Sequence, residues 1–303
     1  MANEETTEAE SKETPPEEVP AAPVATDAAV ADASEPPPSE PAPSPRPPRR
    51  FASAFALGFS LAGEGFLAKA SMVLAALTTI GALVFAVAMA SEDSPPLASL
   101  PGLTASALGW GAGFVFAVAA AARAFDRDAS NGVRMLVRTR GISLGTYAIG
   151  RVFGLAVALA LMVGVGSLIT GGVCAALAHG SRLLVLRATI ASLAYAVAFG
   201  FLLAPLAAAT LGARARGRGY MILIALLIVP EGLQDSLDSL PERWRSLFGI
   251  PSAMSSLRDA ISPGRIDLPL AAAALIVIVI ISFIAMLFAV EQALRATRNA
   301  ESQ

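Results

Sequence analysis

Residues 270–290 read LAAAALIVIVIISFIAMLFAV, and Ser282 is the only polar side chain among them. A helix needs about 20 apolar residues to cross the roughly 30 Å hydrocarbon core of a bilayer, and this uncharged run has that length. Hydrocarbon offers the backbone no hydrogen-bonding partner. A chain that enters it must pair its own N–H and C=O groups, which a helix does within one segment. Four more runs of the same kind lie upstream, at about 70–90, 103–122, 152–177 and 188–211. A sixth, Tyr220–Val229, has a ten-residue apolar centre. It spans over about 219–231 if its flanks contribute, and otherwise it re-enters.

Composition agrees with this reading. Charged side chains are 15% of the chain, against about 25% in a water-soluble domain. The net charge of −2 hides two unlike parts. Residues 1–50 hold eleven acids against Lys12, Arg46, Arg49 and Arg50, which leaves residues 51–303 net basic by five. The first fifty residues are rich in Pro, Glu, Ala and Ser and bury too little apolar surface to offset chain entropy, so they are expected to be disordered. Next, Phe51, Phe55 and Phe59 recur at helical spacing just after the arginines. That pattern suits an interfacial helix on the cytoplasmic leaflet, or an extension of the first span.

The expected fold class is all-α: a polytopic membrane protein of about six transmembrane helices with cytoplasmic N- and C-termini, behind a disordered acidic tail. Its parts are the tail 1–50, an interfacial amphipathic helix 51–66, a transmembrane domain 67–295 and a cytoplasmic end 296–303. Orientation follows the arginines, which favour the cytoplasmic side. Arg123, Arg127, Arg134, Arg138 and Arg140 load the second-to-third loop, and Arg214, Arg216 and Arg218 the fourth-to-fifth, whereas the first loop has no base. Six crossings place these loops and Arg295 and Arg298 on one side; five would put the last two outside. The membrane is expected to be the plasma (inner) membrane.

Little in the chain can carry chemistry. There is no G-x-x-x-x-G-K-[ST] loop for phosphates and no G-x-S-x-G nucleophile turn. Cys174 and His179 are the only residues of their kinds, too few for a His/Cys metal site. No catalytic, cofactor or metal residue is assigned, and the chain is not expected to be an enzyme. Ionisable groups are scarce within the apolar runs, which disfavours proton or ion coupling.

The stretch Asp126–Arg151 reads DRDASNGVRMLVRTRGISLGTYAIGR. It resembles the cytoplasmic loop that precedes the third span in ABC-2 type permeases, the membrane subunits of ATP-binding cassette exporters. Asp126 and Asp128 match the acids of that pattern, Gly132 its glycine, and Met135, Leu136 and Val137 its apolar stretch. Arg140 and Ser143 flank the turn, Tyr147 is the aromatic and Arg151 opens the span. Gly141 stands where the family usually has proline, and Leu144 where it usually has arginine. Gly249–Met254 is similar to an apolar, proline-bearing segment before the last span of such permeases.

The resemblance, over about residues 51–295, implies a permease that couples to a separate ATPase through the loop 123–151. Asp126, Asp128, Gly132, Arg134, Leu136, Arg138, Arg140, Ser143, Tyr147 and Arg151 are the candidate coupling residues. It implies as partners a cassette ATPase subunit, a permease homodimer or heterodimer and the lipid bilayer; no nucleic acid is expected. Two other readings stay open: that the loop is an ordinary basic loop helix at the headgroups, and that the chain is a non-transporting membrane anchor or assembly protein recruiting soluble partners through its tail. Six crossings predict that a cysteine placed near Ser236, with Cys174 replaced, reacts with an impermeant maleimide from outside, and that one near Ser302 reacts only after permeabilisation. The reverse pattern would mean that Tyr220–Val229 does not cross.

Overall fold

The computed structural model describes residues 50–60, 65–90, 95–125, 139, 141–178, 181–212, 216–237, 239–262 and 266–301. These are overwhelmingly helical, and none of the described residues forms a strand. The acidic tail lies outside them. Among the described residues, five helices are long and apolar enough to cross a membrane: Phe66–Met89, Leu100–Ala122, Leu144–Leu177, Arg182–Leu211 and Leu268–Ala296. The architecture is that of an α-helical bundle compatible with a multi-pass membrane protein.

α1 (Arg50–Ser60) and α2 (Phe66–Met89) are separate helices. Gly65 before α2 has φ 91°, a left-handed conformation that no right-handed helix contains and that glycine adopts without strain. The second long helix has three parts. α3 (Leu100–Ala107) passes into a π-helical segment, Leu108–Gly113, and then into α4 (Phe114–Ala124). The π turns carry the sequence LGWGAG, and Gly109 and Gly113 lie against the ring of Phe199.

α5 (Leu144–Leu177) and α6 (Arg182–Leu211) form the centre of the bundle. α5 starts well before residue 152, where the apolar run begins. Ser143 caps it, its Oγ accepting from the Thr146 N–H at 3.1 Å, which satisfies one of the free donors of the first turn. At 34 residues and about 1.5 Å per residue, α5 is roughly 50 Å long, so it outreaches the hydrocarbon.

Helices in hydrocarbon gain little by burying apolar faces, so they associate through close contact between small residues. A Cβ added at Gly200 of α6 would run into the Ala156 carbonyl and lie 2.9 Å from the Ala160 nitrogen of α5. Gly171 of α5 receives Thr189 of α6 in the same way. The hydroxyls at this seam cause no loss, because each bonds back into its own helix. Ser167 Oγ donates to Val163 O at 2.8 Å, Thr170 to Gly166 O at 3.0 Å, Thr189 to Val185 O at 2.8 Å and Ser192 to Ala188 O at 2.7 Å.

α7 (Arg216–Leu233) is shorter and carries Arg216, Arg218 and Glu231, so it is not among the five apolar helices. Its two ends meet different neighbours. Gly219 sits against Thr210 and Leu211, where α6 finishes, beside the Gly212–Phe125 contact at the end of α4. At its far end Glu231 meets the next long segment. A short turn, α8 (Glu242–Arg245), leads there to α9 (Ile250–Ile261), which packs on α6, α7 and α10 (Leu268–Glu301). Arg258 of α9 reaches Gly102 at the beginning of α3.

The Gly200→Val variant should lower stability by about 1–3 kcal/mol through overpacking, read as an earlier thermal midpoint in detergent. Gly172→Ala, where nothing lies within 4 Å of the added Cβ, should be neutral.

Candidate functional site

The base of α5 brings together part of the segment that the sequence singles out. Ser143, Tyr147 and Arg151 are four residues apart and so share one face of the helix. Tyr147 and Arg151 are buried, and Arg151 is only 3% exposed. Asp126, Asp128, Gly132, Arg134, Leu136, Arg138 and Arg140 lie outside the described residues. The turn before Ser143 is built on Gly141 with φ 61°. Proline, held near φ −65°, does not reach that conformation, so the glycine here makes a turn that a proline at this position would not.

What covers this face is α1. Gly150 and Gly154 on α5 stand opposite Ala54 and Gly58 on α1, two small-x-x-x-small pairs that let the backbones approach. A Cβ at Gly150 would lie 2.7 Å from the Ala54 Cβ, and one at Gly154 2.7 Å from the Phe59 nitrogen. Arg151 donates from Nη1 to the Leu57 carbonyl in the last turn of α1. Carbonyls at a helix C-terminus lack intrahelical partners and carry partial negative charge, so a guanidinium satisfies both needs. Phe153 then links three helices. Its ring lies 6.0 Å from Phe51 and from Phe55 of α1 and 5.0 Å from Phe201 of α6.

A second polar cluster lies at the other end of the bundle, and nothing in the sequence reading pointed to it. Arg258 of α9 donates from Nη1 to Ser106 Oγ at 2.6 Å and to Gly102 O at 3.3 Å, and from Nε to Asp259 at 2.7 Å. Tyr195 of α6 is 1% exposed. Its hydroxyl lies beside Ser106 and Trp110 but makes no hydrogen bond of normal geometry. Trp110 belongs to the π segment and meets Phe199 edge-on at 5.3 Å. π turns within α-helices are often found at functional sites, and here the segment places Trp110 beside the Tyr195 hydroxyl and the Phe199 ring. The neighbouring cavity between α3, α6 and α9 is about 100 Å³, bordered by Ser99, Gly102, Arg258 and Ser262. That volume holds a few waters rather than a substrate.

Glu231 at the end of α7 accepts from Ser252 Oγ, and from the Ser252 N–H at 3.4 Å. The carboxylate thereby caps the positive end of α9. Among the described residues no group of three or more His, Cys, Asp or Glu stands together to hold a metal.

The Arg258 cluster makes a two-sided prediction. Arg258→Met should cost about 2 kcal/mol, the scale of hydrogen bonds to a charged group, and lower the thermal midpoint. Tyr195→Phe removes a buried hydroxyl without a good partner and should leave the midpoint unchanged or raise it. No protein-family model matches the chain, and no curated protein matches it.

Proposed function

We propose that the chain is the membrane-spanning permease subunit of an ATP-binding cassette exporter in the plasma (inner) membrane. It crosses six times with both termini cytoplasmic and engages a separate ATPase through the loop 123–151. Two permease subunits, alike or homologous, enclose the pathway, and substrate moves by alternating access between them.

The observation that carries this reading is the junction of α1 and α5. The loop feeds directly into α5, and α5 is locked to α1 by glycine contacts and the Arg151–Leu57 hydrogen bond. A force applied to the loop is therefore delivered to two helices together. From there it passes through Phe153 to α6, the most buried long helix. The six-crossing count draws on the arginine-bearing loops and on the length of α7. With about 27 Å of length for 18 residues, α7 bridges most of a bilayer core of about 30 Å.

The test is recovery of a cassette ATPase on the immobilised chain, wild type against a variant with the charges of Asn131–Arg140 reversed. The variant should recover several-fold less ATPase. Equal recovery would remove the coupling role and leave the membrane-anchor reading in its place.

A further inference from the structure

A groove of about 800 Å³ runs between α2 and α5, open on the outer face of the bundle. Phe59 and Ser60 of α1 form its inner mouth, and Leu83 and Ile169 border its far end. Its walls are apolar. The two hydroxyls on them are already used, since Ser60 Oγ donates to Leu57 O at 2.9 Å and Thr79 Oγ1 to Ala75 O at 2.9 Å. Along α5 the groove extends from Ala158 to Ile169, about 16 Å at 1.5 Å per residue. That matches one leaflet of a hydrocarbon core roughly 30 Å thick.

A charge lies on the groove-facing side of α2, just before the groove lining begins. Lys69, Met72, Ala76 and, two turns further on, Leu83 lie on one face of α2, at spacings of three, four and seven residues. Lys69 is exposed and forms no ion pair with a described residue. It is the only lysine after residue 12. Side chains on a helix lean toward its N-terminus, and a lysine near a helix end extends its ammonium to the headgroup layer. An apolar channel one leaflet deep, with a cation at its water-side end, has the chemical outline of a single phospholipid.

The geometry points to a binding site for one anionic phospholipid from the surrounding bilayer, its acyl chain in the α2–α5 groove and its phosphate-bearing headgroup at Lys69. A lipid held there touches α1 at Phe59 and Ser60, so it packs on the helix that Arg151 fastens to α5. The inference rests on the bilayer setting and not on the exporter reading, and its test involves no ATPase.

The experiment is native mass spectrometry of the full chain released from nanodiscs of equal phosphatidylglycerol and phosphatidylcholine. Wild type should keep one phosphatidylglycerol per chain, at least fivefold over phosphatidylcholine. Lys69→Gln should abolish that preference while keeping the elution volume and helix content of wild type. Ala76→Phe, which fills the groove, should lose both lipids. Val84→Phe, at an exposed position of α2 outside the groove lining, should behave as wild type. Equal retention of the two lipids by wild type, or an undiminished preference in Lys69→Gln, would overturn the site. So would cross-linking of Ala76→Cys between two copies without retained lipid, which would make the groove an interface between chains.

Discussion

In hydrocarbon a helix satisfies its backbone internally, and its apolar side chains are as comfortable against lipid as against a neighbouring helix. What can hold such helices together is close approach. The seam between α5 and α6 supplies it at Gly200, which leaves no room for a Cβ beside Ala156 and Ala160, and at Gly171, which accommodates Thr189. The other helices are arranged around this pair: α2, α3 and α1 on α5, and α4, α9 and α10 on α6. Hydroxyl groups do not weaken the seam, because each donates to a carbonyl of its own helix.

The same device, used a second time, fastens α1 to the base of α5. Two small residues on each helix bring the backbones together, and Arg151 caps the end of α1. A buried arginine is costly unless paired, and here its pairing with a helix C-terminus turns that cost into a constraint on position. A helix that lay on the membrane surface alone would slide freely. One tied in this way is held to α5. At the opposite end, Arg258 ties α9 to the start of α3 beside the π segment. The bundle is thus fastened at both ends by an arginine that joins a short helix to a long one.

The long apolar runs make most of this architecture legible in the sequence, because nothing else explains twenty uncharged residues in succession. Residues 270–290 lie wholly within α10, and α1 runs over Arg50–Ser60, short of residue 66, which opens α2. The start of α5 is less legible. Gly145, Tyr147, Gly150 and Arg151 resemble a loop when read singly, and only their partner on α1 shows why glycine and arginine belong inside a helix. Spacing could have revealed it, since Ala54-x-x-x-Gly58 and Gly150-x-x-x-Gly154 are both visible in the chain. The Arg258 cluster had no such signal. Arg258 sits in a stretch of mixed polarity, Tyr195 is one aromatic in an apolar run, and the π geometry of LGWGAG has no compositional mark. Their meeting depends on how α9 folds back over α3 and α6, which is a property of tertiary structure alone.

All of these contacts presuppose a bundle that resides in a bilayer, and extraction of membranes from cells expressing the full chain measures that residence. A bilayer-resident chain stays with the membrane pellet through an alkaline carbonate wash and leaves it only with detergent. Recovery of a monodisperse chain in the detergent-free supernatant would contradict it.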